Sequence, residues 1–147
     1  MRLTLSTLVE QNHLEVKAGF DERLFKKLAP PFPPVKVMQF DGCETGDTVA
    51  LELNFLIFKQ KWISKITADG TDNQEFYFVD EGAQLPFFLK KWSHRHRVIA
   101  QGSGSIIRDE IEFEAPFTWM NFLLFPALWL QFAYRKPIYR KIFRKSR

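Results

Sequence analysis

Alternating hydrophobic and polar residues dominate the chain and predict mainly β-structure. Leu3, Leu5, Thr7 and Val9 alternate with polar residues and indicate a first strand. The same two-residue period recurs in six later segments: Val35–Phe40, Thr48–Phe55, Lys61–Thr67, Glu75–Asp80, Trp92–Val98 and Ile106–Glu114. Turn-forming sequences separate several of them, at Asp41-Gly42, Asp69-Gly70 and Gly102-Ser103-Gly104. The pattern therefore predicts an antiparallel sheet of about six to seven strands.

Two short helices are predicted between the first and second strands. Asn12 is a suitable N-cap for a helix over residues 13–18, and Asp21 for a second helix that reaches about Leu28. The proline-rich segment that begins at Pro30 then prevents further helix formation.

The longest apolar segment, Phe117–Tyr134, is predicted to be one long helix. Its length is at the lower limit of a membrane anchor, but Asn121, Pro126 and Gln131 interrupt it. Removing it from the body would also expose the apolar face of the sheet, so we expect it to cover the sheet, with a kink at Pro126. The predicted fold is α+β of the helix-grip type, a curved antiparallel sheet wrapped around a long C-terminal helix.

The strand before the last one carries two histidines on one face. Because side chains alternate along a strand, His94 and His96 share a face with Trp92, whereas Arg95 and Arg97 share the other. We expect the face with the tryptophan to be buried. Buried polar groups need partners, so this is the candidate functional site.

Asp109 in the last predicted strand is the expected partner of these histidines. Glu110 and Glu112 would pair with Arg95 and Arg97 on the outer face of the hairpin, which turns Asp109 inward. Four interpretations stay open. The group is a buried network that fixes the register, a binding site for a polar head group, a general base with its orienting carboxylate, or a metal site. We do not assign a metal, because two histidines and one aspartate at this spacing are a weak signal.

Composition and charge narrow the choice of partners. The chain has 147 residues, consistent with a single domain 1–147, and its sixteen phenylalanines either fill a thick core or line an apolar cavity. Seven basic residues lie from Arg135 onward; subtracting them from the total of 21 leaves 14 basic against 17 acidic residues. The body therefore has a net charge of −3, and the basic character belongs to the tail 135–147. We expect no nucleic-acid partner.

Several common chemistries have no motif in the sequence. Cys43 is the single cysteine, and the N-terminal residues alternate like a strand and lack the apolar segment of a signal peptide. We therefore expect a cytoplasmic protein. Nucleophile, phosphate-loop and dinucleotide motifs are absent, so we expect no cofactor.

A series of short motifs occurs in a characteristic order. The most specific is Trp92-x-His94-x-His96 followed by Asp109-x-Ile111-x-Phe113. Others are Leu28-Ala29-Pro30-Pro31, Gly46-Asp47, Trp62, Ile66, Phe78, Asp80, Pro86-Phe87, Gly104-Ser105, Pro116, Phe132 and Arg135. With these motifs the chain resembles the SRPBCC superfamily, which includes START and birch-pollen-allergen-like proteins. Within it, the chain is similar to the bacterial stand-alone ligand-binding SRPBCC domain proteins. Leu85 and Gly82 depart from the glycine and glutamine usual in that group.

The resemblance implies a cavity between the sheet and the long helix that holds a hydrophobic or amphipathic small molecule. Asp80 is a further candidate for an inner carboxylate, and its place near a strand end leaves a solvated or capping role open. The residues expected to contact the ligand are Trp62, Phe76, Phe78, Trp92, His94, His96, Asp109, Ile111, Phe113, Phe125 and Trp129.

Three functional hypotheses follow. The first is non-catalytic binding of such a molecule, and the second is a cyclase- or dehydratase-like enzyme that uses a cavity histidine as acid–base. The third is a peripheral contact with an anionic membrane, or a homodimer contact, through the apolar last helix and the basic tail.

Overall fold

The computed structural model describes residues 1–146, which contain seven strands and three helices. The strands are β1 (Arg2–Val9), β2 (Val35–Phe40), β3 (Thr48–Asn54), β4 (Lys59–Thr71), β5 (Glu75–Gln84), β6 (Lys91–Gln101) and β7 (Gly104–Glu114). The helices are α1 (His13–Ala18), α2 (Glu22–Lys27) and α3 (Thr118–Ile142). All neighbouring strands are antiparallel, in the order β1-β7-β6-β5-β4-β3-β2. The predicted α+β helix-grip fold is confirmed.

The two short helices begin where their capping residues were predicted. The Asn12 side chain accepts hydrogen bonds from the backbone N–H groups of Leu14 and Glu15, and Glu15 binds the Asn12 N–H in return. Asp21 accepts a hydrogen bond from Leu24 N. These caps satisfy backbone donors that have no partner inside a helix. Local sequence therefore fixes this part of the chain.

Two local predictions differ from the structure. Asp69-Gly70 was predicted as a turn, but both residues lie inside β4, and the turn lies at Asp72, whose carboxylate accepts hydrogen bonds from the next N–H groups. The long helix also extends past Tyr134 to Ile142, so most of the predicted tail is helical. Pro126 lies inside the helix without ending it. No helix within residues 1–146 is long and apolar enough to cross a membrane.

The hydrophobic core has two parts, one near each end of α3. The first is centred on the buried residues Val9, Val16, Leu24, Leu28, Ile66, Phe76, Phe78, Val98, Ile107, Tyr139 and Phe143. The second contains Leu3, Leu5, Leu89, Trp92, Ile111, Phe113, Leu128 and Phe132. Helix α3 therefore contributes to both parts.

The long helix does not cover the sheet evenly. Its backbone approaches β1 and β7 closely, while no comparable approach to β2, β3 or β4 is seen among the described residues. Residues of α2 and of the loop before β2 line part of the space between α3 and those strands. This arrangement leaves room for a cavity on one side of the helix.

Candidate functional site

A cavity of about 690 Å³ lies between α3, α2 and the inner face of strands β2 to β6. Its walls are mainly apolar, with Val35 and Val37 from β2 and Leu51 and Leu53 from β3. Phe32, Leu130 and Tyr134 also line the cavity and are exposed, so they mark its mouth between the α2–β2 loop and the middle of α3.

One end of the cavity is polar and is formed by β4, β5, β6 and α3. Asp80, His94, His96, Ser64 and Arg135 line this end. The strands bring the first three together because Asp80 lies opposite His94 in the β5–β6 register. His96 lies opposite Asp109 in the β6–β7 register.

His94 is held between two carboxylates. Its Nδ1 lies 3.0 Å from Asp80 Oδ2, and its Nε2 lies 2.8 Å from Asp109 Oδ1. A carboxylate accepts hydrogen bonds, so each ring nitrogen donates a proton. Burial opposes a charged ring, but the charges and hydrogen bonds of Asp80 and Asp109 outweigh it and raise the pKa of His94 to about 9. His94 is therefore an imidazolium at neutral pH.

His96 has a different protonation state. Its Nδ1 lies 2.8 Å from the same Asp109 oxygen and donates to it, while its Nε2 is buried without a hydrogen-bond partner among the described residues. Burial lowers the pKa of His96 more than Asp109 raises it. His96 is thus a neutral imidazole whose Nε2 has a free lone pair. The ring itself stacks on Phe78, with centroids 4.9 Å apart.

Asp109 and Asp80 each accept two hydrogen bonds from neighbouring side chains. Burial of Asp109 favours its neutral form, but His96 and His94 outweigh burial and hold the pKa of its carboxyl well below the usual range. Asp80 accepts from His94 and, through Oδ1, from the indole Nε1 of Trp92 at 2.9 Å. Two carboxylates and one imidazolium leave the network with one net negative charge.

His94, His96 and Asp109 each offer a ligand atom within 4.8 Å of the others, so a metal ion is a chemical alternative. In this arrangement the His94 and His96 nitrogens that face Asp109 carry protons and donate them. They have no lone pair for a metal unless the hydrogen bonds are broken. The geometry favours a hydrogen-bond network.

Comparisons with known proteins identify the fold. No protein-family profile matches the sequence. Antithrombin-III from Ovis aries is 25% identical over 95 residues, which are 64% of this chain and 19% of antithrombin-III. The chain thus spans about a fifth of the length of that curated relative.

Solved structures match over nearly the whole chain. Protein Ms6760 from Mycobacterium smegmatis has a TM-score of 0.71 and 16% identity, over 99% of this chain and 92% of that one. The Zhui aromatase/cyclase from Streptomyces sp. R1128 has a TM-score of 0.66 and 11% identity, over 93% and 89%. Norcoclaurine synthase from Thalictrum flavum, in complex with dopamine and hydroxybenzaldehyde, has a TM-score of 0.63 and 12% identity, over 100% and 89%.

The chain shares the helix-grip fold of these structures. The superfamily resemblance predicted from the sequence is confirmed at the level of the fold.

Five of the sequence-predicted site residues line the cavity of this helix-grip fold: Trp62, Phe78, Trp92, His94 and His96. Asp109 lies directly behind the two histidines and contacts them without lining the wall.

The other five predicted site residues do not line the cavity. Ile111 and Phe113 are in the core between β7 and α3, where the helix packs directly on the sheet. Phe76 is in the other part of the core, beneath Lys17 of α1. Phe125 packs against the second core part, and Trp129 is 43% exposed on α3.

Two polar residues of α3 at the polar end of the cavity were not predicted as site residues. Arg135 lines the cavity, with its guanidinium 4.2 Å from the centre of the Phe132 ring. Tyr139 is buried beside His96, with ring centroids 6.4 Å apart, and burial raises the pKa of its hydroxyl. The spacing Leu128, Phe132, Arg135, Tyr139 follows one face of a helix and was the available signal.

Proposed function

We propose that the protein binds a hydrophobic or amphipathic small molecule in the cavity and performs no chemistry on it. The observation that supports this most directly is a mainly apolar cavity of about 690 Å³ with a group of polar residues around His94 and His96. Ligand sites commonly have about 300–1,000 Å³, apolar walls and a few placed polar groups. The space is equal to roughly 20 water molecules at about 30 Å³ each, too large to be a packing defect.

The walls support an apolar ligand rather than a polar one. Val35, Val37, Leu51 and Leu53 face the cavity from two neighbouring strands, and Leu128 faces it from α3. Displacing water from such surfaces contributes about 25 cal/mol per Å² of apolar area. An aromatic or aliphatic ligand would therefore gain most of its affinity from these walls.

The relatives offer support of a general kind. The norcoclaurine synthase structure contains two small aromatic molecules, and the Zhui protein is an aromatase/cyclase. The shared fold is thus compatible with small-molecule binding in this protein.

Native mass spectrometry after mild purification tests the proposal, with organic extraction to identify what is released. The variant Ala127→Trp would obstruct the mouth, because Ala127 lines the cavity from α3. Lys141→Trp, an exposed position further along α3, is the matched control. Retention of small molecules by wild type and by Lys141→Trp, but not by Ala127→Trp, is expected. An apo mass in all three, with no uptake of added apolar probes, would refute the proposal.

An enzymatic role is the second candidate, and His96 is the residue that favours it. Both ring nitrogens of His94 are engaged, whereas Nε2 of His96 has a free lone pair and His96 lines the cavity. A general base needs such an atom within hydrogen-bond reach of its substrate. Incubation of the extracted ligand with wild type and His96→Gln, followed by mass spectrometry, tests this role. Unchanged ligand with wild type would exclude it for that compound.

A membrane-surface role is the third candidate, and the outer face of α3 favours it. Trp119, Phe122 and Leu123 are each more than 60% exposed. The last turn carries Arg140 and Lys141. An apolar helix face with a basic end suits the surface of an anionic bilayer.

Sedimentation with phosphatidylcholine vesicles, with and without phosphatidylglycerol, tests the membrane contact. Phe122→Asp should abolish sedimentation, while Leu14→Asp, an exposed apolar position on α1, should not. Absence of binding to anionic vesicles at low salt would exclude the membrane. Concentration-dependent dimers that Phe122→Asp disrupts would assign this face to a homodimer instead.

A further inference from the structure

Hydrogen-bonding atoms without partners cluster at the polar end of the cavity. Among the described residues, Nε2 of His96, Nε of Arg135 and the hydroxyl of Tyr139 are all buried with no partner of ordinary hydrogen-bond geometry, although Arg135 is close enough to the Tyr139 hydroxyl for a side-chain interaction that favours the ionised phenol. His96 is only 1% exposed. Buried polar atoms are normally satisfied, and each that is not costs about 1–3 kcal/mol. Three such atoms in one place indicate groups that a ligand completes.

Arg135 is the charged member of this cluster. It lines the cavity and lies over the Phe132 ring. Its charge adds to the burial that lowers the pKa of His96, and it opposes the rise that burial causes in the pKa of Tyr139. Within residues 1–146 it forms no ion pair with an acidic side chain. Asp80 and Asp109 are already occupied by His94, His96 and Trp92 and do not bind it. A half-buried guanidinium without a carboxylate is set to bind an anionic oxygen.

His96 supplies the complementary acceptor. Its Nε2 carries a lone pair, because its proton is on Nδ1 and donates to Asp109. Arg135 and His96 both line the cavity, whereas Tyr139 lies behind them. The polar end of the ligand should therefore offer an acceptor to Arg135. It should offer a hydrogen to His96 as well, which requires the side chains that bury Nε2 to move aside when the ligand binds.

We propose that the cavity selects an amphipathic carboxylic acid, its acid group bound between Arg135 and His96 and its apolar part along β2 and β3. A carboxylic acid has the required set: one oxygen accepts from the guanidinium, and the other shares the acid proton with His96 Nε2. An alcohol would leave Arg135 without its anionic partner. A ligand amine would place a second cation beside the Arg135 guanidinium and would offer it no acceptor.

This inference rests on the proposed ligand-binding function and adds the chemical class of the ligand. Isothermal titration of delipidated protein with dodecanoate and dodecanol, and with 2-naphthylacetate and 2-naphthylethanol, tests it. Each pair shares its apolar part and differs in the acid group. Wild type should bind each acid at least tenfold more tightly than its alcohol.

Variants of α3 distinguish the contribution of the acid group to the binding affinity from that of the apolar wall. Arg135→Gln should reduce the acid–alcohol ratio to about one and leave alcohol binding within twofold of wild type, since charge-assisted hydrogen bonds are lost and the walls are not. Arg140→Gln removes an exposed charge from the same helix and should retain the full ratio. Arg135→Lys keeps the charge but not the fork geometry of the guanidinium, so it should retain part of the acid–alcohol affinity ratio. This variant replaces Arg135→Gln in the test if Arg135→Gln does not fold.

The outcomes distinguish the two proposals. Equal binding of acid and alcohol by wild type, or an unchanged ratio in Arg135→Gln, would overturn the acid selectivity and leave the ligand-binding function standing. Binding of none of the four probes would overturn both.

Discussion

Asp109 Oδ1 lies 2.8 Å from His94 Nε2, although the strand register places Asp109 opposite His96 and His94 opposite Ile111. The contact is therefore diagonal across two strands. Diagonal neighbours on one face of a sheet are within reach of longer side chains. One carboxylate oxygen thereby joins two histidines with different protonation states and fixes the polar end of the cavity.

Asp109→Asn should strongly destabilise the protein. It removes the negative charge that His94 and His96 share and leaves a buried imidazolium with one carboxylate. Breaking a buried ion pair by removing one partner costs about 3–5 kcal/mol. We expect the free energy of unfolding, measured by urea denaturation at pH 7, to fall by that order. Glu112→Gln is the control, since its ion pairs with Arg2 and Lys91 are exposed and worth less than about 1 kcal/mol.

Stability should fall as the pH rises above neutrality. The pKa of His94 is raised from 6.5 to about 9 in the folded state, so its contribution is complete below pH 6.5 and is lost through pH 9. The loss is on the order of 3 kcal/mol. His96 and Asp109 have lowered pKa values, so their contributions are lost as the pH falls. The free energy of unfolding should therefore be greatest near pH 6–7.

Nitrogen-15 NMR of the imidazoles checks the assignment behind that pH profile. At pH 7.5 both ring nitrogens of His94 should carry protons, and His96 should be the neutral Nδ1–H tautomer. His94→Gln should lose the decline above pH 6.5. A neutral His94 at pH 7.5 would contradict the network.

Cys43 should react slowly with iodoacetamide. Burial, followed by the charges of Asp47, Asp80 and Asp69, raises the pKa of its thiol to about 12. The thiolate fraction at pH 8 is then roughly a thousandfold below that of a free cysteine. Mass spectrometry should show native protein still unmodified when urea-unfolded protein has fully reacted. Rapid alkylation of the native protein would show that the thiol is open to solvent.

Gly104→Ala should destabilise the β1–β7 pairing. A Cβ at this position would collide with the backbone carbonyl oxygen of Val9, which has little freedom to move. We expect a loss of about 1–3 kcal/mol in thermal or urea unfolding. Gly70→Ala is the comparison, because a Cβ there would meet the far end of the Tyr77 side chain at 2.8 Å. Equal effects at the two glycines would contradict this explanation.

Much of the site could be predicted because it lies on strands. A two-residue period leaves only two faces, so Trp92 placed His94 and His96 inside. The outer charges then placed Asp109, and of the expected outer pairs Arg97 with Glu110 is observed. Arg95 lies over the Tyr77 ring instead, and Glu112 pairs with Arg2 and Lys91. Asp80 was a candidate inner carboxylate with a solvated or capping role as the alternative, and the structure gives it two specific partners, His94 and Trp92.

The contribution of α3 could not be derived in the same way. Arg135 begins a basic run, and a charge run is usually a solvated surface, so it was assigned to a tail. Whether Arg135 faces the cavity depends on how α3 is rotated about its axis. The predicted helix ended at Tyr134, so no orientation for Arg135 could be derived from it. Trp129, one residue from buried Leu128, shows the same difficulty, since each residue turns about 100° around the helix axis. Whether an aromatic residue lines a cavity or the core depends on how closely α3 approaches each strand.

Because α3 contacts the sheet unevenly, some strands support the helix and others form the cavity wall. β7 and β1 hold the helix and carry fully buried residues such as Ile107, whereas the cavity walls on β2 and β3 are half-buried residues such as Val37 and Leu51. Substitutions in those walls would reshape the ligand space at small cost to folding. Ligand preference can therefore diverge between descendants of this protein while the scaffold that supports them is inherited unchanged.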